Sequence, residues 1–127
     1  MRGIAQAPEP LPYLQEPPWA FDIDLEVELN GNVVARTNTR HLYWSIAQQI
    51  AHLTVNGASL RTGDLLATGT ISGPGREESG SLLELSWNGA EPIELPGATR
   101  TFLQDGDEVV LRGAGLGEVR GRILPGG

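Results

Sequence analysis

Cysteine and lysine are both missing from the 127 residues. Without cysteine there is no disulfide, no thiolate nucleophile and no zinc–thiolate site. All nine basic residues are arginine, so a lysine nucleophile, a Schiff base and a P-loop are excluded within this chain. Histidine is scarce: His41 and His52 are too few and too badly spaced for a local metal site. Positive charge is short overall, with a formal net charge of −7 and a sequence pI of about 4.7. That balance argues against a nucleic-acid partner and against docking on anionic membranes. No apolar run reaches membrane-spanning length, and Met1-Arg2-Gly3-Ile4-Ala5-Gln6 lacks the apolar core of a secretory leader. The expectation is a soluble cytoplasmic protein, with room for one domain and one modest core.

Proline is concentrated at one end. Residues 1–18 carry five of the nine prolines, Pro8, Pro10, Pro12, Pro17 and Pro18. Each fixes φ and removes a backbone donor, so this stretch reads as an extended arm ahead of a domain over residues 19–127. From Phe21 to Leu29 the pattern changes to strict alternation of apolar and acidic residues. Period two predicts a half-buried strand, Asn30-Gly31 a hairpin turn, and Val33–Thr37 the returning strand. Asp22, Asp24, Glu26 and Glu28 then share one face. Successive carboxylates on a strand diverge, so a solvated face is favoured over a metal site.

Asn38 or Thr39 is placed to cap a helix whose apolar stripe is Leu42, Ile46, Ile50 and Leu53, ended by Asn56-Gly57. His52 lies beside that stripe and is read as a structural hydrogen-bonder. The remainder reads as short strands and turns. Strands are expected at Leu65–Ile71, Leu82–Trp87, Pro92–Leu95, Glu108–Arg112 and Val119–Leu124. A polar loop covers Arg76–Gly80, and turns fall at Asn88-Gly89 and Asp105-Gly106-Asp107. One main helix among many short strands is a β-rich α+β roll.

Two places could carry chemistry. In Ala67-Thr68-Gly69-Thr70-Ile71-Ser72-Gly73-Pro74, hydroxyls and small residues crowd where a strand ends and a glycine-rich loop begins. This is either a loop that lets backbone approach a ligand or a tight turn. The second is Glu84 in Leu82-Leu83-Glu84-Leu85-Ser86-Trp87. As a strand, this segment puts Leu83, Leu85 and Trp87 on one face and Leu82, Glu84 and Ser86 on the other. Glu84 is either on an exposed outward face or held buried for a function, because an unpaired buried carboxylate is costly.

Several segments together resemble the fumarylacetoacetases of the fumarylacetoacetate hydrolase family. They are Leu11-Pro12-Tyr13-Leu14, Phe21-Asp22-Ile23-Asp24-Leu25, Tyr43-Trp44 with Gln48-Gln49, Val55-Asn56-Gly57 and Gly63-Asp64-Leu65-Leu66. Gly69-Thr70-Ile71-Ser72-Gly73-Pro74, Leu83-Glu84-Leu85-Ser86-Trp87 and Asp105-Gly106-Asp107-Glu108-Val109 complete the set. The resemblance runs from about residue 11 to 124 and corresponds to the C-terminal portion only. It implies a partial mixed β-sandwich roll and a hydrolase that cleaves the carbon–carbon bond of 4-fumarylacetoacetate to fumarate and acetoacetate, in tyrosine and phenylalanine catabolism. In the family a Mg²⁺ or Ca²⁺ ion chelates the diketone, a histidine acts as base on water, and a glutamate orients that histidine.

By match to the motif, Glu84 resembles the histidine-orienting glutamate and Thr70, fourteen positions earlier, the substrate-contacting threonine. The family's metal ligands, catalytic histidine and active-site lysine, glutamine and tyrosine lie upstream of the matched stretch, and neither His41 nor His52 takes the place of the base. The resemblance therefore implies a portion that is inactive alone and binds no metal itself. It would work as part of a homodimer or in association with the upstream part, on a small diketo-acid substrate. Two other readings stand beside it. One is a different 2,4-diketo-acid hydrolase or decarboxylase of the superfamily, and the other a non-catalytic β-rich binding module.

Overall fold

A computed structural model describes residues 5–15 and 19–126. The arm residues Pro17 and Pro18 and the N-terminal stretch 1–4 lie outside the described residues. The chain is β-rich, with one main helix. Strands β1 (Asp24–Leu29), β2 (Asn32–Asn38), β5 (Glu108–Gly113) and β6 (Gly117–Arg122) form an antiparallel sheet in the order β2-β1-β5-β6. Strands β3 (Ile93–Leu95) and β4 (Ala98–Arg100) make a separate two-stranded ribbon. The expected turn joins β1 to β2, with Asn30 at φ +50° and Gly31 at φ +80°, the conformation a tight right-twisted hairpin requires.

Register divides the sheet into two unlike faces. Leu25, Val27 and Leu29 share theirs with Ala35, Val109, Leu111 and Val119. The short helix α2 (Leu82–Leu85) covers part of this apolar face, with Leu82 and Leu85 standing over Val27, Leu29 and Ala35 around a cavity of about 150 Å³. Leu29, Ala35, Leu85 and Val110 are buried. The opposite face carries the acidic residues, which are both solvent-accessible and paired. Arg112 reaches Glu28 at 2.6 Å, Glu118 at 3.1 Å and Glu26 at 3.3 Å, and Arg36 holds Glu26 at 3.0 Å. A ladder of alternating charge thus crosses all four strands, extended by Arg120 on Glu108 and Glu118.

The helix α1 spans Ile46–Thr54. Its cap is Ser45, whose hydroxyl accepts from Gln48 N while the Gln48 side chain accepts from Ser45 N. Asn38 caps instead the 3-10 turn Thr39–His41. Gln48 is buried, and its amide exchanges hydrogen bonds with that of Gln6 at 2.7 and 3.0 Å and donates to Leu14 O at 2.9 Å. The described part of the proline-rich arm lies in this way on α1.

Two expected strands are absent. Residues 65–70 have no regular structure and are exposed, Leu65 at 96%. No neighbouring strand takes up their backbone groups, and an unpaired strand is not stable. The segment 82–87 forms α2 instead. Ser81 Oγ accepts from Glu84 N, Leu-Leu-Glu-Leu are good helix formers without a β-branch, and Trp87 and Asn88 at φ +48° and +55° end the turn. Leu83, Leu85 and Trp87 consequently do not share a face: Leu85 is buried, Leu83 and Trp87 are exposed.

Asp107 joins these parts. Its carboxylate, 2% exposed, accepts from Arg100 Nε at 2.9 Å, Arg100 Nη2 at 2.8 Å, Asn30 Nδ2 at 2.7 Å and Gln104 N at 2.8 Å. The Arg100 hydrogen bonds hold its pKa far below the usual carboxylate range against the opposing effect of burial, with help from Asn30 and Gln104. Removing one partner of a buried pair strands the other. We therefore expect Asp107→Ala to cost on the order of 3 kcal/mol in urea unfolding at neutral pH. Because the folded pKa is depressed, the stabilisation is present above the unfolded carboxylate value of about 4 and is lost as pH falls below it. Asp107→Asn should remove that part of the acid slope, seen in unfolding curves run as a function of pH.

Candidate functional site

Glu84 sits at the third position of α2, beside the loop Ser72–Ser81. Both of its anchors converge on one oxygen. Ser72 Oγ donates to Glu84 Oε2 at 2.6 Å and Gly80 N donates to the same atom at 3.1 Å. Among the described residues no ion pair reaches Glu84, and Oε1 takes no hydrogen bond. The carboxylate is thus fixed through one oxygen while the other is left free in an exposed cleft. That cleft, of about 350 Å³, is lined by Ser72, Gly73, Arg76, Glu84, Trp87 and Glu91 among others.

Thr70 packs against Gly80. A Cβ built on Gly80 would stand 2.6 Å from Thr70 Cγ2 and 2.5 Å from Ile71 O. The glycine therefore lets the strandless segment 70–72 close onto the loop that holds Glu84. Thr70 and Glu84 flank one residue, although Thr70 does not line the cleft itself. This juxtaposition arises from a glycine contact, Gly80 against residues 70–71, and not from the strands expected at Leu65–Ile71 and Leu82–Trp87. Around it the surface is open and apolar, with Trp87 71% and Leu83 56% exposed.

The two histidines are engaged elsewhere. His52 Nδ1 and Tyr13 OH lie 3.1 Å apart with the rings stacked, and His41 Nε2 lies 3.2 Å from Glu78 Oε1. An open groove of about 1000 Å³ is lined by His41, Glu78, Thr37 and the β5–β6 turn, and includes neither Thr70 nor Glu84. Among the described residues no cluster of three or more His, Cys, Asp or Glu is disposed to hold a metal ion. The cleft holds the Glu84 carboxylate, the Ser72 and Ser79 hydroxyls and Glu91, whose carboxylate is paired with Arg76 at 3.0 Å, a donor set that does not fit a divalent cation. Ser72 and Gly80, the two groups that fix Glu84, were not singled out individually in the sequence. The signal was the Ser-Gly character of the loop on either side of the helix cap.

Comparison with known proteins bears on this geometry. The family described as fumarylacetoacetate (FAA) hydrolase C-terminal matches residues 5–124. Fumarylacetoacetase from Homo sapiens is 48% identical over 136 residues, that from Arabidopsis thaliana 49% over 135, and that from Caenorhabditis elegans 46% over 135. Each alignment covers 94% of this chain and 32% of the relative, so the chain spans about a third of the length of the curated relatives it matches. Among solved structures, a 5-carboxymethyl-2-hydroxymuconate delta-isomerase from Mycobacterium smegmatis superposes with a TM-score of 0.49 at 22% identity, covering 84% of this chain and 32% of that one.

Two outcomes are expected. Gly80→Ala must push backbone at Ile71 aside, which should destabilise the chain by about 1–3 kcal/mol and shift the amide resonances of residues 70–72. Calorimetric titration with Mg²⁺ or Ca²⁺ should show no stoichiometric micromolar site; finding one would return the acidic stretch Asp22–Glu28 to consideration as a ligand set.

Proposed function

The chain belongs to the fumarylacetoacetate hydrolase family, and on that premise we propose that it supplies part of the active site of a fumarylacetoacetase. Such an enzyme cleaves the carbon–carbon bond of 4-fumarylacetoacetate to fumarate and acetoacetate in cytoplasmic tyrosine and phenylalanine breakdown. The observation that carries this reading is the half-satisfied Glu84 carboxylate, held through Oε2 by Ser72 and Gly80 with Oε1 free. It is supported by the near-50% identity to curated fumarylacetoacetases along almost the whole chain.

A fixed carboxylate with one free oxygen is suited to accept an N–H from an imidazole. It would fix the ring's tautomer and stabilise the imidazolium formed when the other nitrogen takes a proton from water. Since His41 and His52 are held away from Glu84 by Glu78 and Tyr13, that imidazole belongs to a part of the protein outside this chain. Thr70, whose methyl packs against Gly80, would offer its hydroxyl to the substrate. The Mg²⁺ or Ca²⁺ of the family would likewise be held by residues outside this chain. The 127 residues therefore need a partner to complete the site, either the upstream portion or a second copy bearing it, and are inactive alone.

The test is Glu84→Gln in a form of the protein extended over the length of its relatives. The amide keeps the shape of the side chain and loses the charge that stabilises the imidazolium. Turnover should fall on the order of a hundredfold or more, with a much smaller change in KM. Unchanged turnover would remove Glu84 from the mechanism.

A further inference from the structure

The helix that carries Glu84 is four residues long and has little in itself to keep it still. Its α-helical backbone bonds run from Leu85 N to Ser81 O at 3.0 Å and from Ser86 N to Leu82 O at 2.9 Å. A helix so short takes its direction from whatever holds its ends. Leu82 and Leu85 seat α2 on the sheet, and Ser72 and Gly80 grip Glu84 on its loop side. The far end needs partners too, because the last carbonyls of a helix have none within it.

Of these carbonyls, Leu83 O accepts from Asn88 N at 2.7 Å and Glu84 O from Trp87 N at 3.0 Å. Leu85 O receives no backbone N–H among the described residues. It accepts instead from Arg76, through Nη2 at 3.0 Å and Nε at 3.3 Å. The remaining arm of the guanidinium, Nη1, stands 3.0 Å from Glu91 Oε2, and Glu91 N donates to Ser86 O at 2.8 Å. One side chain from the loop thus binds both the end of α2 and the segment that follows it. The loop gives it a fixed base. Arg76 opens the 3-10 turn Arg76–Glu78, in which Glu78 Oε2 accepts from Gly75 N at 2.9 Å and Glu78 O from Gly73 N at 3.0 Å. Glu78 Oε1 lies 3.2 Å from His41 Nε2, in the turn after β2.

We propose that Arg76 is a positioning residue for Glu84: by holding Leu85 O it fixes the tilt of α2, and with it the direction in which Glu84 Oε1 faces the cleft. This rests on the catalytic reading of Glu84 given above. Two observations set the role apart from plain stability. The Arg76–Glu91 pair is more than half exposed on both sides, and pairs so exposed contribute little to folding. The cation also pairs with Glu91 and not with Glu84, although all three side chains line one cleft. Glu84 is thereby left, among the described residues, as the carboxylate of that cleft without a cation, the state in which it can receive an imidazole N–H. Arginine suits the task because its planar fork sends two N–H groups to one carbonyl and a third to a carboxylate in a single rigid geometry.

Two measurements on Arg76→Ala test the proposal. The first is amide hydrogen exchange in this chain. The N–H groups of Gly80, Ser86 and Glu91 should exchange on the order of tenfold faster, while the amides of β1 and β5 keep their wild-type rates. The second is steady-state kinetics in the form extended over the length of the relatives. There kcat should fall on the order of tenfold with KM unchanged, as expected when a catalytic group is displaced and substrate binding is not. In the Glu84→Gln background the same substitution should add less than about twofold, because both changes act through one carboxylate. Unchanged exchange at Gly80 and Glu91, sheet amides accelerated in step with them, or an equal loss of kcat in both backgrounds would each overturn the proposal. The two readings fail separately. Unchanged turnover in Glu84→Gln itself defeats the catalytic reading and the proposal with it, whereas a large loss in Glu84→Gln beside an unchanged kcat in Arg76→Ala defeats the proposal alone.

Discussion

A buried carboxylate cannot be left unpaired, and the arrangement around Asp107 follows from that constraint. Moving a charge out of water is repaid only where several donors converge on it. Here the donors come from three separate places: the β1–β2 turn through Asn30, the ribbon strand β4 through Arg100, and the approach to β5 through Gln104 N. Meeting all of them at once fixes where the hairpin stands against β5. Asn30 strengthens the link through its side-chain Oδ1, which accepts from Glu108 N at 2.9 Å. With β1 and β5 so aligned, Glu26 falls opposite Arg112 in the register and Glu28 comes within its reach. The ladder of charge on one face and the apolar surface on the other are both consequences of that alignment.

Local pattern and long-range partnership were unequally legible in the sequence. The strand expected over Phe21–Leu29 forms over Asp24–Leu29, the Asn30-Gly31 turn forms as expected, and Ile46, Ile50 and Leu53 of the expected stripe lie on α1 while Leu42 precedes it; these features depend only on neighbours within a few residues. The acidic face was visible but its partners were not, because Arg112 and Glu26 are 86 positions apart. The helix start moved from Asn38 to Ser45 because Ser45 has Gln48 three residues on and can close a reciprocal cap, while Asn38 serves a shorter turn. Segment 82–87 illustrates the opposite error. Its apolar residues alternate as in a strand, but a serine cap and four good helix formers prevailed over the period.

At the candidate site Glu84 was singled out as a carboxylate among leucines, and the expected strand geometry is not the cause of its placement. Its neighbourhood is set by Gly80, which alone permits residues 70–71 to approach the loop. An absent side chain leaves no mark in a pattern of polarity, so the contact between Thr70 and that loop could not be read from the sequence. Among the described residues, nothing hydrogen-bonds Glu84 Oε1.

The Asn30-Gly31 turn has one more consequence, and it concerns ageing. An asparagine followed by glycine is chemically the most exposed of its kind, since the unhindered glycine nitrogen can attack the side-chain amide and expel ammonia. Elsewhere on a surface the product would be a harmless extra charge. At this position the lost group is the donor that lies 2.7 Å from Asp107 Oδ1, and its replacement is a second acceptor. Hydrolysis of a single amide would set two carboxylates against each other at the point where β1, β4 and β5 are tied together. Deamidation at Asn30, unlike the same change at Asn56-Gly57 or Asn88-Gly89, would therefore strike the chain at its most constrained junction.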